Sequence, residues 1–133
     1  MLYDPVTILN VLEKSPLDIA GFLNTHVLNQ KLPIYTANHP ISVRDEIIPR
    51  LSLLANNHCY VSELYNIIIA QYFMQKKNKR AKSDDYDDEE YTDLEAKKEI
   101  LYRTAQSLDR LYEAASRIMT GIGEPDSRSN RHP

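Results

Sequence analysis

His58 and Cys59 are where this chain comes nearest to the chemistry of an enzyme. Cys59 is its only thiol, and His58 is the imidazole next to it. A nucleophile and its base, or two zinc ligands, must share one face. On a helix that means a separation of three or four residues rather than one. No second His or Cys follows at that spacing, so no catalytic residue, metal or cofactor is expected here. A second cluster, Asp84, Asp85, Asp87, Asp88, Glu89 and Glu90 around Tyr86, is dense in carboxylates. It lacks the spaced oxygens and central glycine of a calcium loop. It reads as a solvated turn that becomes the first turn of a helix. Phosphate loops, dinucleotide fingerprints, serine elbows and paired-cysteine sites are absent from the sequence, so the expected protein is not an enzyme.

The third group is basic. Lys76, Lys77, Lys79, Arg80 and Lys82 fall within seven positions. Such a run contacts phosphates without reading bases. Tyr72, Phe73, Tyr86 and Tyr91 border it, and any of them that is exposed can stack on an unpaired base. The opposing reading is pairing with the adjoining acidic run, within one chain or between subunits. Arg128 and Arg131 add a little charge near the C-terminus.

The basic run ends a long amphipathic element. Residues 43–82 carry Ile47, Leu51, Leu54, His58, Val61, Tyr65, Ile68 and Tyr72 at alternating spacings of four and three. That pattern predicts one helix with a single apolar stripe. Ser42 suits its N-cap, with Asp45 at the capping-box position. Pro49 predicts either a kink or a helix that starts near it, and the kink is favoured because the spacing continues across it. His58 reads as a polar interruption that sets register, and Asn56 and Asn57 as residues that face outward or weaken the helix locally. A second helix is expected over 88–119. Its stripe is Leu94, Leu101, Leu108, Leu111, Ala115, Ile118 and Ile122, widened by Tyr91, Ala105, Tyr112 and Met119. Glu95 with Lys98 and Glu99 with Arg103 are expected surface pairs. Gly121 and Gly123 are expected to stop the helix.

The similar lengths of the two elements predict an antiparallel hairpin. Ile47, Leu51, Leu54, Val61 and Ile68 would pack against Leu94, Leu101, Leu108 and Leu111. Residues 1–40 supply short helices and a connector. Asp4 with Pro5, and Ser15 with Pro16, are helix-start pairs, and the second helix extends to about Asn29. Gly21 would permit close packing. This segment reads as a cap on the long helices. Pro33 and Pro40 restrict the connector over 32–40. Residues 41–122 form the hairpin, and 123–133 a flexible polar tail. The fold class is therefore all-α: a long antiparallel helical hairpin with a short N-terminal helical cap, self-associating through surplus apolar surface.

Composition agrees. With 133 residues, a net charge of -3, three Gly and no Trp, the chain fits one helix-rich domain. A single Cys precludes an intrachain disulfide. No basic start precedes a long apolar run, and the longest apolar cluster, 67–70, is far short of a membrane span. A cytoplasmic protein is expected, including one made by a phage.

Tyr72, Phe73, Met74, Gln75, Lys76 and Lys77, followed by a polar turn and the apolar series over 94–119, resemble in layout the core of tailed-phage recombination-mediator proteins. The resemblance covers roughly 63–122. It implies a small, helical, oligomeric protein that helps load a recombinase on coated single-stranded DNA. It gives Lys76, Lys77, Lys79 and Arg80 the DNA-contacting role, with Lys97 and Lys98 assisting. The acidic run and the N-terminal segment depart from that layout. Three functional readings follow, in this order. The first is a homo-oligomeric scaffold or adaptor with a protein partner. The second is a single-stranded DNA accessory protein. The third is an acidic inhibitor of a nucleic-acid-binding protein.

Overall fold

The computed structural model describes residues 5–28 and 43–121. Two short helices, α1 (Pro5–Leu12) and α2 (Pro16–Leu23), lead into a π-helical turn at Asn24–Leu28. Two long helices follow, α3 (Val43–Arg80) and α4 (Asp88–Gly121). At 1.5 Å per residue they span about 57 and about 51 Å. They pack antiparallel as a hairpin, and α1, α2 and the π turn cap one side of it. The expected Asp4 and Ser42 caps, the 32–40 connector, Ile122, the stop at Gly123 and the 123–133 tail lie outside the described residues.

Local chemistry explains each start and stop. Ser15 caps α2 by accepting the Asp18 N–H at 3.2 Å, and Pro16 occupies the first position, where its missing N–H costs nothing. Gly21 is not a packing device: a Cβ added there would meet nothing within 4 Å. The second helix reaches Leu28 as expected, but its last turn is π rather than α. Helix α3 is continuous through Pro49, so the proline does not start the helix.

The hairpin core is a heptad seam. On α3, Ile47, Leu54, Val61 and Ile68 are buried at seven-residue intervals, with Leu64 between the last two. On α4, Leu94, Leu101, Leu108 and Ala115 repeat the same interval. Leu51, Tyr65, Leu111 and Ile118 pack half-buried against this core. Burying each large aliphatic side chain stabilises the fold by about 1.5–3 kcal/mol. The stripe that no single helix can hide is thus covered within one chain.

Polar residues on the seam hold the other pieces in place. Asn57, expected outside, is 3% exposed and directs its side-chain amide at the Val27 carbonyl, 3.4 Å away. Lys97 is 7% exposed; its ammonium donates to the Leu12 carbonyl at 2.8 Å and meets Asp93 at 2.7 Å. It satisfies a carbonyl at the end of α1 that helix geometry leaves without a partner. Thr104 bonds back to the Ile100 carbonyl at 2.8 Å. The cap therefore docks by apolar burial of Val11, Ile19, Leu23 and Val27 together with the Asn57 and Lys97 clasps. His58 lies at the edge of the seam and spans the two helices, 3.1 Å from Asp109. Among the described residues no helix is long and apolar enough to cross a membrane.

Candidate functional site

The hairpin's closed end brings the sequence's charged runs together. Helix α3 closes in a Schellman arrangement: the Ser83 N–H bonds the Asn78 carbonyl at 3.0 Å and the Lys82 N–H bonds that of Lys79 at 3.2 Å. Lys82 supplies the left-handed residue this motif requires, at φ 53°. Asp87 then caps α4, accepting the N–H groups of Glu89 and Glu90 at 3.0 and 3.2 Å. Buried Gln75 clamps the two helix ends. Its carbonyl accepts the Asp87 N–H at 3.1 Å, and its amide donates to Glu90 at 3.0 Å. Part of the acidic run thus starts a helix, as its position predicts.

The inner side of this tip is occupied. Tyr72 and Tyr91 stack with centroids 5.2 Å apart and an interplanar angle of 13°, their hydroxyls 3.3 Å apart. The Lys98 ammonium sits 4.4 Å over the Tyr72 ring, and Lys79 sits 5.0 Å over Tyr91 and 6.0 Å from Tyr86. Tyr86 donates to Asp88 at 2.6 Å. That hydrogen bond, aided by desolvation and the nearby Asp88 charge, pushes the Tyr86 phenol up to about 12. The hydrogen bond to Tyr72 likewise raises Tyr91, with desolvation adding to it. These tyrosines are held by one another and by lysines, so they are not free stacking platforms.

The outer side is different. Phe73, Lys76, Lys77 and Arg80 occupy positions i, i+3, i+4 and i+7, a single stripe of α3. With Ala81 they line an open depression of about 500 Å³. Phe73 is 55% exposed. Among the described residues no ion pair joins Lys76, Lys77, Arg80 or Lys82 to the acidic run. The five basic residues therefore separate into three roles. Lys76, Lys77 and Arg80 share a face with an exposed ring, Lys79 turns inward to Tyr91, and Lys82 closes the helix.

No family model, curated protein or solved structure matches this chain.

The other chemical candidates are weaker. His58, Cys59, Asp109 and Tyr112 border a shallow groove of about 260 Å³ with Leu54, Ala55 and Leu108. Cys59 is exposed, and its neighbour His58 is directed at Asp109 rather than at the thiol. Among the described residues no group of three or more His, Cys, Asp or Glu side chains is placed to hold a metal. Of the two lysines expected to assist, Lys97 is buried against the cap and Lys98 lies over the Tyr72 ring, so neither joins the outer stripe. The expected Glu99–Arg103 pair forms at 2.9 Å. The division of roles within the basic run goes beyond the sequence expectations. The i, i+3, i+4, i+7 spacing of Phe73, Lys76, Lys77 and Arg80 was the available signal.

Proposed function

We propose that the protein is a non-enzymatic helical accessory protein that binds the phosphate backbone of single-stranded nucleic acid at the closed end of its hairpin. The observation that carries this reading is the outer stripe of α3. Lys76, Lys77 and Arg80 stand together beside exposed Phe73, around an open depression, without carboxylate partners among the described residues. Three cations over about 6 Å of helix form a compact anion-facing edge. The negative end of the α3 dipole opposes phosphate there. The closing hydrogen bonds engage the carbonyls of Lys77, Asn78 and Lys79, which leaves the side-chain charges dominant.

This order of preference differs from the one the sequence favours. Self-association offers a cover for an apolar stripe, but α4 and the cap already bury Ile47, Leu54, Val61 and Ile68. The acidic-inhibitor reading loses ground for a similar reason: Asp87, Asp88 and Glu90 are engaged in building the turn. A homo-oligomeric scaffold remains the second reading. It is favoured by large apolar side chains left exposed on the hairpin, namely Ile48, Leu53, Tyr102 and Tyr112. Sedimentation at micromolar concentration tests it, with a dimer or larger species expected.

Fluorescence anisotropy with a labelled single-stranded oligonucleotide tests the first reading. The native protein is expected to bind at low salt. The triple variant K76Q/K77Q/R80Q is expected to lose that binding while keeping its helical circular dichroism. Equal affinity of the two proteins would contradict the proposal.

A further inference from the structure

We infer that Phe73 is a base-stacking residue, so that the site holds a strand by one unpaired base as well as by its phosphates. This rests on the reading of the α3 stripe as a nucleic-acid site. Five observations support it. Phe73 is a large aromatic side chain left more than half exposed, on the same stripe as three cations. Its ring leans on Tyr72, with centroids 5.6 Å apart and an angle of 60°. Tyr72 is itself held by Tyr91 and Lys98, so Phe73 has a fixed backing. The depression it lines with Lys76, Lys77 and Arg80, about 500 Å³, is ample for one base. The other aromatic residues of the tip are engaged with one another, which leaves Phe73 as the ring with a free face.

The geometry separates two contributions. Lys76, Lys77 and Arg80 respond to phosphate in any strand and weaken as salt rises. Stacking on Phe73 needs a base that is out of a duplex, tolerates any sequence and is insensitive to salt. A base and its own phosphates can reach the ring and the cations together. The span from Phe73 to Arg80 is seven residues, about 10 Å along the helix.

The test uses the full chain and two oligomers of equal length, oligo-dT and an abasic strand with the same phosphate backbone, with oligo-rU as a third arm. The native protein is expected to bind oligo-dT and oligo-rU about tenfold more tightly than the abasic strand. Phe73→Ala removes that difference and leaves abasic binding and its salt dependence unchanged. Phe73→Trp restores the difference. Because the chain has no other Trp, emission from this variant reports on the ring directly. Quenching by oligo-dT but not by the abasic strand is expected. Equal binding of dT and abasic strands by the native protein, or unquenched Trp at saturation, would overturn the stacking inference and leave the phosphate site standing. Absence of binding to every strand at low salt would overturn both.

Discussion

Replacing Lys97 with Met should loosen the docking of the N-terminal cap while leaving the hairpin folded. The Lys97 ammonium is buried, donates to the Leu12 carbonyl at 2.8 Å and meets Asp93 at 2.7 Å. Met keeps the length and apolar stem of the side chain, so packing is largely preserved and the polar clasp alone is removed. A hydrogen bond from a charged donor contributes about 1.5–3 kcal/mol, and its loss leaves the Leu12 carbonyl buried without a partner. Asp93 is partly solvated, so the loss of its partner adds little. A destabilisation of about 2 kcal/mol follows from those terms. For a chain of 133 residues, that corresponds to a fall in Tm of about 7 °C. The location of the effect is the sharper test. Amide hydrogen exchange should accelerate over 5–28, with the centres of α3 and α4 keeping their protection. Unchanged protection in α1 and α2, together with an unchanged Tm, would refute the assignment of Lys97 as the cap's clasp.

Two more predictions concern the tip. Lys82→Gly should stabilise the fold by about 0.5–1 kcal/mol, because glycine relieves the left-handed strain at φ 53° while giving back part of that gain as unfolded-state entropy. Thermal denaturation should show a higher Tm, and oligonucleotide affinity should fall far less than in K76Q/K77Q/R80Q. Tyr86, with its folded pKa near 12 against an ordinary 10.0, should titrate late by carbon-13 NMR of its ring, and Asp88→Asn should return it toward the ordinary value. Since the folded value is the higher one, the stabilisation from this hydrogen bond is complete below pH 10. It disappears as pH rises through the folded value.

Much of the fold is legible in the sequence because the hairpin is built from local periodicity. The helix expected over 43–82 is Val43–Arg80, and the one expected over 88–119 is Asp88–Gly121. The seam is less legible. Following steps of four from Ile47, Leu54 and Val61 selects Leu51, His58 and Tyr65, which are half-buried. Steps of three from Leu54 and Val61 select Asn57 and Leu64, which are buried. Both sets flank the same core, and which lies deeper depends on where α4 and the cap press. Lys97 and Thr104 sit three residues after Leu94 and Leu101, so the heptad marks their place. Their polarity argues against burial until the partners, the Leu12 and Ile100 carbonyls, are seen. The candidate site divides in the same way. The basic run is plain in the sequence, but its separation into Lys79, Lys82 and the Lys76, Lys77 and Arg80 stripe depends on Tyr91 and the helix closure.

If the α3 stripe takes nucleic-acid phosphates, the salt dependence of binding to a single strand reads its contacts directly. Each phosphate contact on a single strand contributes about 0.7 to the slope of log K against log salt. K76Q/K77Q/R80Q is expected to flatten the slope of the native protein by about 2, the sum for three contacts. A native slope near zero, or the same slope in both proteins, would contradict it.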